Sequence, residues 1–307
     1  MVVKKDRGKT NSEDEKRLTV INCQHDHNIV SCVLLHFINA VVSSSGTSKS
    51  PNTNVKNSEE EGRGSLSEFS RSATLYMAEV DYGERLQMVR RYVEEVEKAL
   101  AQLGSLVSLE FVLKTPLTIH TRWPYLPIEI GLAWHPILDV PYIPASSLKG
   151  AMRHYAKTHN LCDWERLFGA AERTGEAIVL DAYPVEAVRY GTPPRSRLVE
   201  PDIINPHYRE DILTEHKASP TPLVYPVVPI GAKFKVILWA RQSKDIECLA
   251  NIATKTLEEG IGARVTVGYG KMHITTKQPP RHLKQDTGVE TNPGTTHKAH
   301  HCRGQSR

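Results

Sequence analysis

The segment Gly260-Ile-Gly-Ala-Arg-Val-Thr-Val-Gly-Tyr-Gly270 constrains the fold of this chain more than any other stretch. Its four glycines are unfavourable inside a helix or a strand, because glycine loses more backbone freedom than alanine on folding. They suit a backbone that turns with positive φ or that lets another chain approach closely. The pattern therefore predicts either an anion-binding loop or a tightly packed β-bulge, and the glycines alone do not separate the two.

The side chains around these glycines favour a nucleic-acid backbone as the ligand. Arg264 and Lys271 carry positive charge, and Tyr269 offers a ring on which a base can stack. We therefore expect Arg264, Gly268, Tyr269, Gly270 and Lys271 to contact a nucleic-acid backbone.

A second segment, from Pro141 to Lys157, predicts a helix that begins at a serine. Ser146 or Ser147 can cap it, and a helix N-terminus with free amides binds phosphate groups. Lys149, Arg153 and Lys157 follow one another at intervals of four residues and form a cationic ridge on one helical face. The ridge could hold a phosphate chain, but for this helix alone an ordinary solvated face is the favoured interpretation.

Hydrophobic periodicity around these segments predicts an α+β fold. Helices are expected over residues 84–103 and 243–259, where apolar residues recur every three or four positions. Strands are expected over residues 109–119, 175–182, 231–240 and 264–274, with a proline-rich insertion over 184–226. With the serine helix, the order is β, α, β, insertion, β, α, β, which is typical of ferredoxin-like and RNA-recognition-motif-like folds.

Three regions are expected along the chain. Residues 1–72 form a partly disordered N-terminal extension, since 43–72 is rich in Ser, Asn, Gly and Glu and predicts a linker. Within it, residues 17–42 are apolar enough to pack, either on the main domain or as an appendage. Residues 73–277 form the main domain, and residues 278–307 form a disordered basic tail.

Charge and cysteine content limit the functional classes. The net charge is +4, and the tail supplies most of it, so net charge gives no argument for nucleic acid and only a local patch can. The five cysteines are scattered and odd in number, which favours free thiols in a reducing compartment. No secretory signal or membrane-length apolar run is evident, so we expect a cytoplasmic protein without membrane contact.

Four motifs together resemble the RAMP superfamily of CRISPR effector proteins. The motifs are Pro141 to Gly150 with Arg153, Leu167-Phe-Gly169, Gly175 to Ala182, and Gly260 to Gly270. Asp202 to Tyr208 and Pro220 to Pro222 are further similar to the subunit-six family of type III-B (Cmr) complexes. One departure is Ala145, where the superfamily usually has glycine, and alanine fits only if φ is negative there.

The resemblance implies a subunit that holds guide RNA by its backbone, near the 3′ end, with target RNA and other RAMP subunits of the Cmr complex as partners. Related subunits cleave target RNA with a loop aspartate and a divalent metal. Here the matching run, residues 130–136, has Trp134 at the aspartate position, and Asp139 occupies a different position. An indole neither binds magnesium nor accepts a proton. We therefore expect a non-catalytic subunit without cofactor; a metal-dependent endoribonuclease is the alternative, and a protein-only adaptor is a third.

Histidine and cysteine residues offer two further possibilities. A histidine could act as acid or base in RNA cleavage, but we interpret the candidates as structural: His120, His135, His154 and His207. Cys23, His25, His27, Cys32 and His36 could bind zinc, yet their spacing matches no common zinc module and core cysteines are frequent. No metal site is therefore expected.

Overall fold

A computed structural model describes residues 21, 23, 27–45, 55–205 and 222–277, and for 43–45 and 55–65 it describes the backbone only. Within these residues the helices are α1 (Ile29–Ser45), α2 (Val55–Glu79), α3 (Gly83–Ala101), α4 (Ala145–Thr158), α5 (Trp164–Phe168) and α6 (Ser243–Glu259). The strands are β1 (Ser105–Leu113), β2 (Trp134–His135), β3 (Val140–Pro141), β4 (Ala177–Val179), β5 (Tyr183–Glu186), β6 (Val188–Tyr190), β7 (Arg195–Arg197), β8 (Glu200–Ile204), β9 (Leu223–Val227), β10 (Lys233–Ala240) and β11 (Met272–Lys277).

The central sheet has the strand order β11–β1–β10–β4, with every neighbouring pair antiparallel, and β5 also pairs with β10. Because side chains alternate between the faces of a strand, β10 presents two different surfaces. Lys235 forms a buried ion pair of 2.5 Å with Glu97 of α3, whereas α6 begins beside the other face, where Ser243 bonds Ser105 at 2.7 Å. Helices therefore cover both faces of the sheet, and the molecule is a mixed α+β structure.

Helix α4 is held beside the sheet through α5 and α6. Arg166 of α5 pairs with Asp245 of α6 at 2.7 Å and with Glu176, just before β4, at 2.8 Å. The hydrogen bonds from Arg166 to these carboxylates raise the pKa of its guanidinium above the ordinary value. This ion-pair network fixes α5 and the loop after it, against which the cations of α4 lie.

The linker prediction for residues 55–72 is wrong, because α2 runs from Val55 to Glu79 and the boundary placed at residue 72 falls within it. Phe69 and Ala73 of α2 are buried in the same core as Ile29 and Val33 of α1. Phe37 and Phe69 meet edge to face with ring centroids 5.3 Å apart. The two N-terminal helices therefore belong to the main packing unit rather than to an appendage.

Five other expectations need correction or lie outside the described residues. The strand predicted to begin at 264 begins at Met272, and Val265–Val267 form a 3₁₀ turn. The strand predicted to begin at Leu109 spans Ser105–Leu113. Disulfides join Cys23 to Cys32 and Cys162 to Cys248, so the prediction of free thiols is wrong for these four, and cysteine spacing alone does not give such pairing. The disordered tail and His207 fall outside the described residues.

No helix within the described residues is both long and apolar enough to cross a bilayer.

Candidate nucleic-acid interface

The glycine segment folds back on itself and onto the chain that follows β1. Ile261 N donates to Gly270 O at 3.1 Å, and Gly270 N donates to Pro116 O at 2.8 Å. Gly270 has a φ of 70°, and a Cβ there would collide with Ile261 O. Gly270 is therefore required by close packing of the chain rather than by a ligand. It is buried and so offers little surface to RNA.

Gly268 differs from Gly270 in its surroundings. Its φ is 98°, yet a Cβ added there would meet no atom within 4 Å. The chain turns there after the 3₁₀ turn, with Gly268 N donating to Val265 O at 2.9 Å. The open space beside Gly268 leaves room for a ligand backbone.

Arg264 and Tyr269 bind the hairpin of β8 and β9 rather than facing solvent freely. Arg264 Nη1 donates to Tyr225 OH at 2.9 Å, and its guanidinium carbon lies 4.7 Å from the Tyr269 ring centroid. Tyr269 OH and Tyr225 OH both donate to Asp202. Burial alone would raise the pKa of Asp202, but these hydrogen bonds outweigh it and the pKa lies below its ordinary value. Sequence reasoning treated Arg264 and Tyr269 as RNA contacts, and it missed this internal network.

Helix α4 begins at Ala145, before both serines, so the prediction that Ser146 or Ser147 caps it is wrong. Ala145 N donates to Asp181 Oδ1 at 2.6 Å, and the N-terminal residue Pro144 gives no side-chain cap. A carboxylate at this helix end already occupies the favourable position for negative charge and so weakens phosphate binding there. Ala145 lies in the helix and is absent from the positive-φ positions, so alanine fits.

The cationic ridge of α4 packs partly against α5 and the loop after it. Lys149 Nζ donates to Ala177 O at 2.8 Å, and burial lowers the pKa of its ammonium. Arg153 Nε donates to Gly169 O at 3.2 Å, and both Arg153 and Lys157 lie over the Trp164 ring, at 5.4 and 5.7 Å. Lys149 is therefore a structural cation, whereas Arg153 and Lys157 stay exposed to solvent.

Both α4 and the glycine segment contact residues 114–120, which are part of the connection between β1 and α4. His120 Nε2 and Ser147 Oγ lie 2.8 Å apart, while two residues earlier Thr118 O accepts from Ala263 N at 2.8 Å. Two residues span at most about 7 Å, so the Ser147 and Ala263 contacts are close neighbours. Lys271 N also bonds Thr115 Oγ1 at 2.9 Å. The structure thus brings the two predicted segments to one connection.

The exposed and half-buried groups around this connection form what we call the cationic surface. Its members are basic, imidazole or hydroxyl-bearing side chains and two glycines with open space beside them: Lys114, His120, Ser146, Ser147, Gly150, Arg153, Lys157, Gly268 and Lys271. Gly150 lies inside α4, where glycine is less favourable than alanine by about 0.5–1 kcal/mol, yet a Cβ there would meet nothing within 4 Å. No packing contact within the described residues requires this glycine, and it leaves open space on the exposed face of α4.

The possible catalytic carboxylate, Asp139, is closed off from solvent. Its side chain is 7% exposed and pairs with Arg85 Nε at 2.7 Å. It also accepts from Ile29 N at 3.0 Å and from Trp134 Nε1 at 3.0 Å. These donors satisfy the carboxylate and attach the start of α1 to this loop, which sequence reasoning missed because Ile29 and Asp139 are 110 residues apart.

The candidate histidines and the cysteine–histidine cluster differ in their burial and in their contacts. His135 Nδ1 accepts from Leu138 N at 3.1 Å, and burial lowers the pKa of the His135 imidazole. His154 is exposed on α4. The sulfurs of Cys23 and Cys32 and a ring nitrogen of His36 lie within 4.8 Å of one another, but the disulfide occupies both sulfurs.

Comparison with known proteins points to one family. A model of the RAMP superfamily matches residues 110–273. The chain is 27% identical over 193 residues to CRISPR system CMR subunit Cmr6 of Saccharolobus solfataricus, a match that covers 62% of this chain and 65% of that relative. It is 28% identical over 116 residues to Cmr6 of Pyrococcus furiosus, covering 35% and 33% of the two chains. The match to the first relative thus spans slightly less than two thirds of its length.

A solved structure supports the fold. A chain in the cryo-EM structure of the type III-B Cmr-β complex bound to cognate target RNA aligns with a TM-score of 0.62 at 24% identity, covering 84% of this chain and 94% of that one. At this identity the similarity concerns the fold alone. Since the family model covers more than half of the sequence, the chain belongs to the RAMP superfamily, and it resembles subunit six of the type III-B Cmr complex.

Proposed function

We propose that this protein is a non-catalytic RNA-binding subunit of a type III-B CRISPR effector complex. It holds the backbone of the guide RNA near its 3′ end, with target RNA and other Cmr subunits as partners, in the cytoplasm. The observation that carries the proposal is the cationic surface, where Gly150 and Gly268 leave open space beside exposed cations. The names of the relatives give the complex to which such a surface would belong.

The chemistry of the surface suits a backbone more than a base sequence. Arg153, Lys157 and Lys271 supply charge, and Ser146 supplies a hydroxyl group, all of which contact phosphates without distinguishing bases. The sheet order β11–β1–β10–β4, with α4 and α6 as the crossover helices, supports the ferredoxin-like or RNA-recognition-motif-like architecture. Both arguments favour positioning of RNA rather than sequence-specific reading.

The absence of catalysis in this proposal is supported by the state of Asp139. A metal ligand or general base must offer a free oxygen lone pair to the reaction. Asp139 is buried and uses its oxygens to hold Arg85, Trp134 and the start of α1. Its place in the fold is therefore structural.

The test is RNA binding by the full chain with both exposed cations of α4 removed. The double variant Arg153→Ala, Lys157→Ala should bind a labelled single-stranded RNA more weakly, and the slope of log K against log salt should fall by about 0.7 per lost phosphate contact. Lys98→Ala, which removes a 64% exposed lysine from α3, is the matched control and should leave both quantities unchanged. An unchanged affinity and salt slope in the double variant would favour the protein-only adaptor.

A further inference from the structure

A short loop beside the cationic surface exposes several aromatic and basic side chains. We call residues His120-Thr-Arg-Trp-Pro-Tyr125, between β1 and α4, the aromatic loop. His120, Arg122 and Tyr125 are exposed, and Tyr125 is 55% exposed. Its rings form a chain, with His120 and Trp123 centroids 5.7 Å apart and Trp123 and Tyr125 centroids 5.7 Å apart.

The aromatic loop is continuous with the cationic surface. His120 belongs to both, since its Nε2 lies 2.8 Å from Ser147 Oγ of α4. Its φ of 53° is left-handed, a conformation in which non-glycine residues are uncommon. Trp123 anchors the other side, where it meets Tyr142 edge to face at 6.1 Å. The rings of the aromatic loop therefore begin at the α4 side of the cationic surface, where His120 meets Ser147.

Tyr125 differs from the other exposed tyrosine with the same accessibility. Tyr190 is also 55% exposed, but the Arg197 guanidinium lies 3.4 Å from its ring centroid and covers one face. Tyr125 contacts the ring of Trp123 at an interplanar angle of 64°, so the two rings meet edge to face. Trp123 therefore does not stack on the ring of Tyr125.

The indole of Trp123 is the packed part of the aromatic loop. Trp123 is only partly exposed, and its ring contacts the rings of His120, Tyr125 and Tyr142. The exposed ring of Tyr125 therefore lies on a segment that ring packing already orders.

We propose that the aromatic loop binds an unpaired base of the RNA, with the base stacked on Tyr125 and the adjacent phosphate next to Arg122. This inference rests on the proposed function, because it needs RNA on the cationic surface. Stacking tolerates any base, since every base has a π face. The site adds a base contact to a surface that otherwise holds only the backbone.

The experiment compares two RNA probes on the full chain. One is a short single-stranded oligonucleotide and the other has the same backbone with abasic riboses throughout. The wild-type protein should bind the base-bearing RNA roughly five-fold or more tightly than the abasic RNA. Tyr125→Ala should remove this preference, whereas Tyr125→Phe, which keeps the ring, and Tyr190→Ala, which removes an equally exposed tyrosine elsewhere, should retain it.

The outcomes separate this inference from the proposed function. A Tyr125→Ala variant that keeps the full preference for bases overturns the inference. So does a wild-type protein that binds both probes equally while still losing affinity in the Arg153→Ala, Lys157→Ala variant, and in that case the proposed function stands. A wild-type protein that binds neither probe contradicts both.

Discussion

The two halves of the connection between β1 and α4 use their polar groups in opposite ways. In the first half, residues 114–125, cations and rings lie exposed, and His120 reaches toward Ser147. In the second half, around residues 130–140, Trp134 is fully buried and Asp139 is enclosed by three donors. One loop therefore contains both an open surface and a closed ion-pair site.

The contrast between the exposed and the enclosed half shows why a sequence motif alone does not locate a functional site. A carboxylate near the position of a catalytic aspartate says little until its hydrogen bonds are known, because a satisfied buried carboxylate is a structural element. The exposed half keeps its side chains available and follows the cationic surface. In the proposed function, RNA therefore contacts the half of the connection that the catalytic motif does not include.

The largest effect is expected from removing the enclosed carboxylate. Asp139→Ala should lower the free energy of unfolding by about 3–5 kcal/mol, because it removes the carboxylate that pairs with the largely buried Arg85 and that accepts from the Ile29 amide and the Trp134 indole. Urea denaturation followed by circular dichroism measures this loss. Glu95→Ala, which breaks an exposed pair with Lys98, is the control and should change little. If the Asp139 variant were fully stable and lost a magnesium-dependent cleavage of RNA, the closed half would be the catalytic one.

A smaller difference is expected between the two glycines that end the glycine segment. Alanine at either position requires a left-handed backbone, which costs about 1–3 kcal/mol. Gly270→Ala adds a collision with Ile261 O and should destabilise the protein more than Gly268→Ala, which enters open space. Thermal unfolding measures the ranking. RNA affinity should fall in the Gly268 variant even where the protein is fully folded, and equal stability of the two variants would contradict the described packing.

The smallest change in stability is expected from a substitution at Gly150. This substitution also tests most directly whether RNA lies against α4. Gly150→Ala should raise the free energy of unfolding by about 0.5–1 kcal/mol, because alanine is better inside a helix and meets no neighbour here. The added methyl group should nevertheless weaken RNA binding several-fold if RNA lies against α4. Denaturation and RNA titration on one preparation should therefore move in opposite directions. A gain in stability with unchanged RNA affinity would show that no RNA lies closely against α4 at Gly150 and would weaken the case for RNA on the neighbouring open half.

Elements fixed by local pattern could be predicted from the sequence. The predicted helix over 84–103 is α3, Gly83–Ala101, and the helix predicted over 243–259 is α6 with the same bounds. In both, the apolar stripe alone decides the structure. Helix α2 was missed because its Ser- and Glu-rich composition is typical of a linker, and its burial of Phe69 depends on α1, which lies outside any local window.

The candidate site was predictable in part for the same reason. The spacing of Arg153 and Lys157 places them on one face, and the structure keeps both exposed. Arg264 and Tyr269 could not be assigned to an internal network, since Asp202 and Tyr225 approach them only through the insertion. The pairing of Ala145 with Asp181 likewise spans 36 residues and leaves no periodic signal.

The hydrogen bond between the Ile29 amide and Asp139 has a practical consequence for anyone who shortens this protein. The family match begins at residue 110, which invites a truncated version that starts near there. Such a version would lack both Ile29 and Arg85, so Asp139 would lose two of its three hydrogen-bond donors, and the core would lose the side chains of α1, α2 and α3. The minimal folding unit therefore extends at least to the first turn of α1, some eighty residues before the segment that defines the family.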